Sequence, residues 1–340
     1  MQAAQPDEIR LKRQGQVRVA ERMGMTQDGS RSREPAAKGI RIMPGRLFLP
    51  ALIVFLCGAA ASHAEEQPSV FSGPQVGEKL PPLKASLAYG RDAREVVDFV
   101  ELAAGRPSLM VIVNGANRPA AGLTRSLMNF AEMQGDKLFA GIVYLDGDLT
   151  AAGKYLRRAV AWWGVEPPVG VSVDGAEGPG SWGLNRNVNL TILVADKGRV
   201  TANFALIQPS LTDGPKILAV VTDLTGGRAP KNAEIVFLSI PTQKIGNATW
   251  PPAPSDIAMR RLICDALAAE DDDQARATAA AVDSYVGDNK HRQTVLGGTA
   301  AGLLKGKEYT EVRGVPIISH LRRWRDSYYV PVERRRRKPE

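Results

Sequence analysis

Apolar positions along this chain keep two rhythms, and the place where one gives way to the other divides it. Between residues 108 and 227 short unbroken apolar runs alternate with stripes of helical period; after residue 254 only the helical period remains. The first clear run, Leu109 to Val113, is apolar at every position, the pattern of a strand covered on both faces in a parallel sheet. Beyond a short loop, Leu123, Leu127, Phe130 and Ala131 follow at spacings of 4, 3 and 1, one stripe that predicts a helix lying on that sheet. LFAGIVYLD (138–146) predicts a second strand, LTAAGKYLRRAVAWWG (149–164) a helix and VGVSVDG (169–175) a third strand. LTILVAD (190–196) and RVTANFAL (199–206) predict a hairpin, because Lys197-Gly198 between them is a tight-turn signal. DGPKILAVVTDLTGG (213–227) reads as a helix stopped by two glycines. Strands alternating with helices ahead of a hairpin belong to an α/β fold with an antiparallel close.

The second rhythm begins after the proline-rich TWPPAPSD (249–256), which places a linker over 229–254. Met259, Ile263 and Leu267 then recur at helical spacing, and 273–288, 291–306 and 316–329 are further helix candidates with no competing strand signal. Residues 255–329 are therefore expected to be all-helical, with Ser255 and Asp273 as caps. No internal repeat is visible.

Charge changes little in this picture. The formal charge is +8, but residues 1–64 carry ten Lys/Arg against five Asp/Glu, and ERRRRKPE (333–340) holds five basic and two acidic residues. The part between is close to neutral, so no basic groove for nucleic acid is expected. The apolar run LFLPALIVFLCGAAAS (47–62), preceded by Arg41 and Arg46 and followed by Ser62-His63-Ala64, has the form of a secretory signal cleaved after Ala64. Residues 43–64 would be that signal, residues 1–42 a disordered extension or a start assigned too far upstream, and the product periplasmic or secreted. The run is short for a span of about 20 residues; an anchor retained over 47–62 is the alternative. Of the two cysteines, Cys57 lies in the signal core and the preceding Leu56 is too large for a lipoprotein site, which leaves Cys264 without a disulfide partner.

One resemblance joins these pieces. VGEKLPPLKAS (76–86), LMVIVNGANRPA (109–120) and LTILVADKGRVTANF (190–204) resemble the thioredoxin-like superfamily, in its alkyl hydroperoxide reductase and thiol-specific antioxidant branch. The resemblance implies a three-layer α/β/α sandwich with a mixed sheet over residues 70–228, followed by the small helical region 255–329 and a basic tail, 330–340. It also implies a Cys-x-x-Cys loop after the first central strand, where the following helix dipole lowers the first thiol's pKa. Here Asn117 takes the first cysteine's place, Arg118 and Pro119 the middle pair and Ala120 the second. Leu190 stands where the family keeps a cis-proline that faces the thiols and whose backbone pairs with an extended substrate. A cis bond before a non-proline residue costs about 2.5–4 kcal/mol, so a trans bond is expected there. Neither Asn nor Ala can form a thiolate or leave from a mixed disulfide.

Other signals have ordinary structural readings. Gly178, Gly180 and Gly183 satisfy G-x-G-x-x-G, but Pro179 interrupts them and no long helix follows, as a nucleotide fingerprint requires. Asp146 and Asp148 lack the twelfth-position glutamate of a calcium loop, since that residue is Arg157. His291 and His320 keep no metal-ligand spacing, Trp162, Trp163 and Trp182 read as packing residues, and Cys264 lies on an apolar helix face as a small hydrophobe. No catalytic residue, cofactor or metal is assigned.

The expectation is an exported, redox-inactive thioredoxin-like module acting through a protein partner in the cell envelope. Two alternatives stand beside it: a thiol–disulfide oxidoreductase or peroxidase using Cys264 as a single relocated nucleophile, and an envelope-associated structural protein touching the membrane through an uncleaved signal segment or the basic tail.

Overall fold

The computed structural model describes residues 70–89, 93–163, 166–241, 254–305, 312 and 314–329, with the side chains of 160–163 excepted. The expected signal, the N-terminal extension, the basic tail and the side chains of Trp162 and Trp163 lie outside the described residues.

A seven-stranded mixed sheet forms the body, in the order β2-β1-β5-β4-β3-β6-β7. Its strands are β1 (Lys84–Leu87), β2 (Val96–Asp98), β3 (Ser108–Val113), β4 (Phe139–Tyr144), β5 (Val169–Ser172), β6 (Leu190–Asp196) and β7 (Arg199–Leu206). β3, β4 and β5 run parallel at the centre, with Val111 opposite Ile142. They are joined by α2 (Arg118–Gln134) and α3 (Leu149–Trp163), the crossovers that parallel neighbours need. β6 returns antiparallel to β3, Val113 facing Leu190, and β7 pairs antiparallel to β6. Lys197 and Gly198 both take positive φ between them, the mirror-image turn that matches strand twist.

All six positions of β3 are buried, as an uninterrupted apolar run requires, and the pleat sends them to two cores. Leu109, Val111 and Val113 meet Leu123 and Leu127 of α2, Leu156 of α3 and Leu218 of α4 (Gly214–Thr225). Met110 and Ile112 meet Phe99 of α1 (Phe99–Ala103), Leu83 and Trp182 on the other face. The fold is thus three-layered, as the resemblance implies.

The expected linker 229–254 begins differently. Asn232–Leu238 form α5, buried from Ala233 to Leu238, and α5 joins the core beneath α2. It escaped the apolar pattern because six consecutive buried residues leave no stripe to read. Residues 242–253 lie outside the described residues.

Among the described residues four α-helices follow, α6 (Ile257–Ala268), α7 (Asp272–Val286), α8 (Lys290–Lys305) and α9 (Ile318–Tyr328). Their caps are not those expected. Asp256, one residue after Ser255, accepts from Ala258 and Met259 N–H, and Asp271, two before Asp273, accepts from Gln274 N–H. Asp273 instead lies inside the first turn of α7, where a carboxylate still complements the helix dipole. Among the described residues no helix is long and apolar enough to cross a membrane.

This helical region shares the sheet's core: Met259, Ile263 and Leu267 belong to the same apolar cluster as β3 and α2. Polar bonds fix the junction. Arg260, 2% exposed, pairs with Glu132 of α2 at 2.6 Å and donates to the Pro254 carbonyl at 3.2 Å. Arg261 donates to the Met133 carbonyl.

Candidate functional site

The parallel strands all end at one edge of the sheet, and the loops that leave it there make the site. Residues 114–117 follow β3, 145–148 follow β4, 185–189 precede β6 and Ile207 follows β7. Within 114–120 the one charged residue is Arg118, exposed with Ala116, Asn117 and Pro119, while Ala120 is buried.

Asn117 caps α2. Its backbone is extended, at φ −112° and ψ 172°, and its Oδ1 accepts from Ala120 N–H at 2.8 Å. Its carbonyl accepts from Ala121 N–H at 2.9 Å. Pro119 falls in the first turn, where the missing N–H leaves nothing unsatisfied. The residue that the resemblance sets in the first cysteine's place serves as a helix cap.

Leu190 is fully buried in the α2-side core, and the strand pairing runs on past it. Asn189 N–H donates to the Leu206 carbonyl at 3.0 Å, and its own carbonyl accepts from Asn114 N–H at 3.0 Å and Gly115 N–H at 3.2 Å. The backbone next to the position that the resemblance gives to the cis-proline is thus bonded within the chain. The Asn189 side chain extends the clamp: Nδ2 donates to the Ile207 carbonyl at 2.6 Å, and Oδ1 lies 2.0 Å from where a Cβ on residue 115 would stand. Asn114 Nδ2 donates to the Arg186 carbonyl at 2.7 Å, and Arg186 pairs with Glu177. Sequence reasoning missed Asn189. The alternation Asn185, Asn187, Asn189 opposite Asn114-Gly115 was the available signal, because asparagine side chains close turns by bonding nearby backbone.

The remaining expected residues are scattered. Cys264 sits in α6, away from the loop edge and buried. Burial pushes its thiol well above the usual range, and the nearby Glu234 and Asp265 carboxylates push the same way. A thiol held protonated is a poor nucleophile. Gly178 and Gly183 end two short 3-10 turns and Gly180 opens the second, and Trp182 in that turn is buried and donates from Nε1 to the Pro82 carbonyl at 3.0 Å. Asp148 caps α3, accepting from Thr150 and Ala151 N–H at 2.9 Å, and Asp146 accepts from Asp148 N–H at 2.8 Å. His291 is exposed at the start of α8. His320, on α9, has its pKa lowered by partial burial and then by Arg323. Among the described residues no three His, Cys, Asp or Glu side chains gather as a metal set.

At the same edge, Tyr144 at the end of β4 lies 6.0 Å from Tyr155 of α3, ring to ring. Burial raises the Tyr144 phenol, with Tyr155 and Asp146 adding to it. Tyr155, Leu149 and Ile207 are 48%, 42% and 44% exposed, so apolar surface borders the loop.

No protein-family model matches the chain, and no curated protein matches it. Among solved structures, it is similar to a thiol:disulfide interchange protein from Bacteroides sp., with 13% identity over 45% of this chain and 91% of that one, TM-score 0.32. It is also similar to a thiol peroxidase from Chromobacterium violaceum, with 14% identity over 46% and 91%, TM-score 0.31. A peroxiredoxin-like protein from Aquifex aeolicus shows 17% identity over 45% and 88%, TM-score 0.30. The strand order, the parallel crossovers and the closing hairpin are what define the architecture: the chain is thioredoxin-like in fold, with a helical region continuous with its core.

Proposed function

We propose that this chain is an exported, redox-inactive thioredoxin-like module that acts by binding a protein partner in the cell envelope. The observation that carries the reading is the bond from Ala120 N–H to Asn117 Oδ1: a capping amide stands where the resemblance places the attacking thiol. The burial of Cys264, which holds its thiol protonated, supports it further by weighing against the relocated nucleophile. Export rests on the signal pattern over 43–64. The binding surface is the loop edge, where Arg118 and Ile207 are exposed on either side of the Asn189 clamp.

Two assays test the reading. The purified protein is expected neither to reduce insulin disulfides nor to consume hydroperoxide beyond a Cys264→Ser control; activity above that control would transfer the proposal to the relocated thiol. A photo-crosslinker at position 118 is expected to trap a partner from the envelope fraction that Ile207→Glu loses and that a crosslinker at exposed Arg276 on α7 does not trap. Equal trapping from both positions would remove the loop edge as the binding surface.

A further inference from the structure

The chain contains one Asn-Gly pair, Asn114-Gly115, and it lies in the loop after β3. Asn-Gly is the dipeptide most prone to lose the side-chain amide, because glycine leaves its own backbone nitrogen unhindered. Both residues are held there by contact. A side chain at 115 would meet Asn189 Oδ1 at 2.0 Å, and Asn114 Nδ2 is the donor to the Arg186 carbonyl.

We propose that Asn114 is a latent deamidation site kept silent by the Asn189 clamp, and that opening the loop commits it to an irreversible change. The reaction needs only water. Gly115 N gives up its proton to solvent base and bonds to Asn114 Cγ; the Cγ–Nδ2 bond breaks, and ammonia leaves with a proton from water. Water then opens the five-membered ring at either carbonyl, giving aspartate or isoaspartate. An amide and water become an acid and ammonia, with no change of oxidation state.

In the folded chain both reacting groups are engaged elsewhere. The Gly115 N–H that must be lost donates to the Asn189 carbonyl at 3.2 Å. The amide that must be attacked is tied through Nδ2 to the Arg186 carbonyl at 2.7 Å, while Asn114 N–H also bonds to Asn189. Attack requires at least two of these bonds to break together. The product cannot restore the side-chain bond, because a carboxylate at 114 has no hydrogen to donate and would face the Arg186 carbonyl oxygen, lone pair to lone pair. Deamidation would therefore leave the loop open at the edge where the first central strand meets α2.

The test is a mass measurement on the peptide containing Asn114 during mildly alkaline incubation of the full chain, folded and in guanidinium chloride. Deamidation is expected about tenfold slower or more in the folded chain, the factor that follows from breaking two net hydrogen bonds first. Asn189→Ala removes the side-chain bond to Ile207 and leaves the backbone carbonyl that holds the Gly115 N–H, so this variant and Asn187→Ala are both expected to keep most of the folded-state protection. Hydrogen exchange at the Gly115 amide of the unaltered protein supplies a reading free of variants and is expected to be strongly protected. Equal rates in folded and unfolded chains, or free exchange at Gly115, would each overturn the proposal.

Discussion

The two ends of α2 are used differently. At its start Asn117 offers one side-chain bond to the helix itself, and Ala116 to Pro119 face solvent. Further along, one polar residue after another reaches outward to hold the rest of the chain. Arg125 Nη1 donates to the Ser239 carbonyl at 2.6 Å, Ser126 Oγ to Ile235 at 2.9 Å and Asn129 Nδ2 to Leu238 at 2.7 Å. These satisfy carbonyls at the C-terminal end of α5, groups that a helix leaves open. Glu132 then takes Arg260 of α6. The helix that would tune a thiol in the resembling family spends its polar side chains on binding α5 and α6. The difference teaches that the helical region is a structural partner of α2, and that the loop is its exposed end, where the proposed binding surface lies.

The largest effect should come from the buried end. Arg260→Ala leaves Glu132 without its partner and opens the carbonyls of Pro254 and Asn129. A loss of about 3 kcal/mol is expected, toward the lower end for a broken buried pair because Glu132 keeps some contact with water. Urea unfolding checks this. Arg260→Met with Glu132→Leu should recover part of the loss, since an apolar pair removes both charges together. If Arg260→Ala melts like the unaltered protein, the two ends of α2 are not different in the way described.

Gly115→Ala should cost less, about 1–3 kcal/mol, the usual range for a methyl forced into filled space. The Cβ would displace Asn189 Oδ1 and with it the bond from Asn189 Nδ2 to Ile207. Asn189→Gly in the same background should return most of that cost if the clash is its source. A thermal melt of the single and double variants separates this from a general intolerance of the loop.

What the sequence disclosed follows the same division. β6 and β7 fall on the residues their apolar runs mark, and α4 ends at the paired glycines, because each carries its own period and its own stop signal. β1 and β2, of four and three residues, are too short to show a period. α5 is buried from Ala233 to Leu238, shows no stripe, and hid inside a region that proline content marked as linker. At the site, the position of Asn117 at a helix start was legible from local chemistry, because capping depends on residues three apart. The Asn189 clamp joins residues some 70 apart in sequence across β3 and β6, and only the folded sheet brings them together. The use of α2 as a scaffold was illegible for the same reason, since Arg125, Ser126 and Asn129 read as ordinary polar positions until α5 is known to exist.

The smallest effects belong to the exposed end, and they decide what Asn117 is for. Asn117→Ala removes the acceptor for Ala120 N–H and should lower stability by about 0.5–2 kcal/mol, while Asn117→Gly should cost only a few tenths. That ranking is the signature of a cap, because glycine leaves the open N–H groups of the first turn accessible to water while a methyl group shields them; equal losses in both would point to some other role for the side chain. Installing the missing chemistry then tests the rest of the edge. Asn117→Cys with Ala120→Cys should form a disulfide, with the cysteines spaced as in the resembling family, yet reduce insulin poorly. Asn189 would still spend its N–H on Leu206 and its carbonyl on Asn114 and Gly115, so an extended chain would find no free backbone to pair with. Adding Leu190→Pro removes one strand N–H and favours the bend at which that pairing would end, and it should raise turnover above the double cysteine variant. Brisk insulin reduction without the proline would show that the thiols alone were missing and that the closed backbone at Asn189 is no barrier.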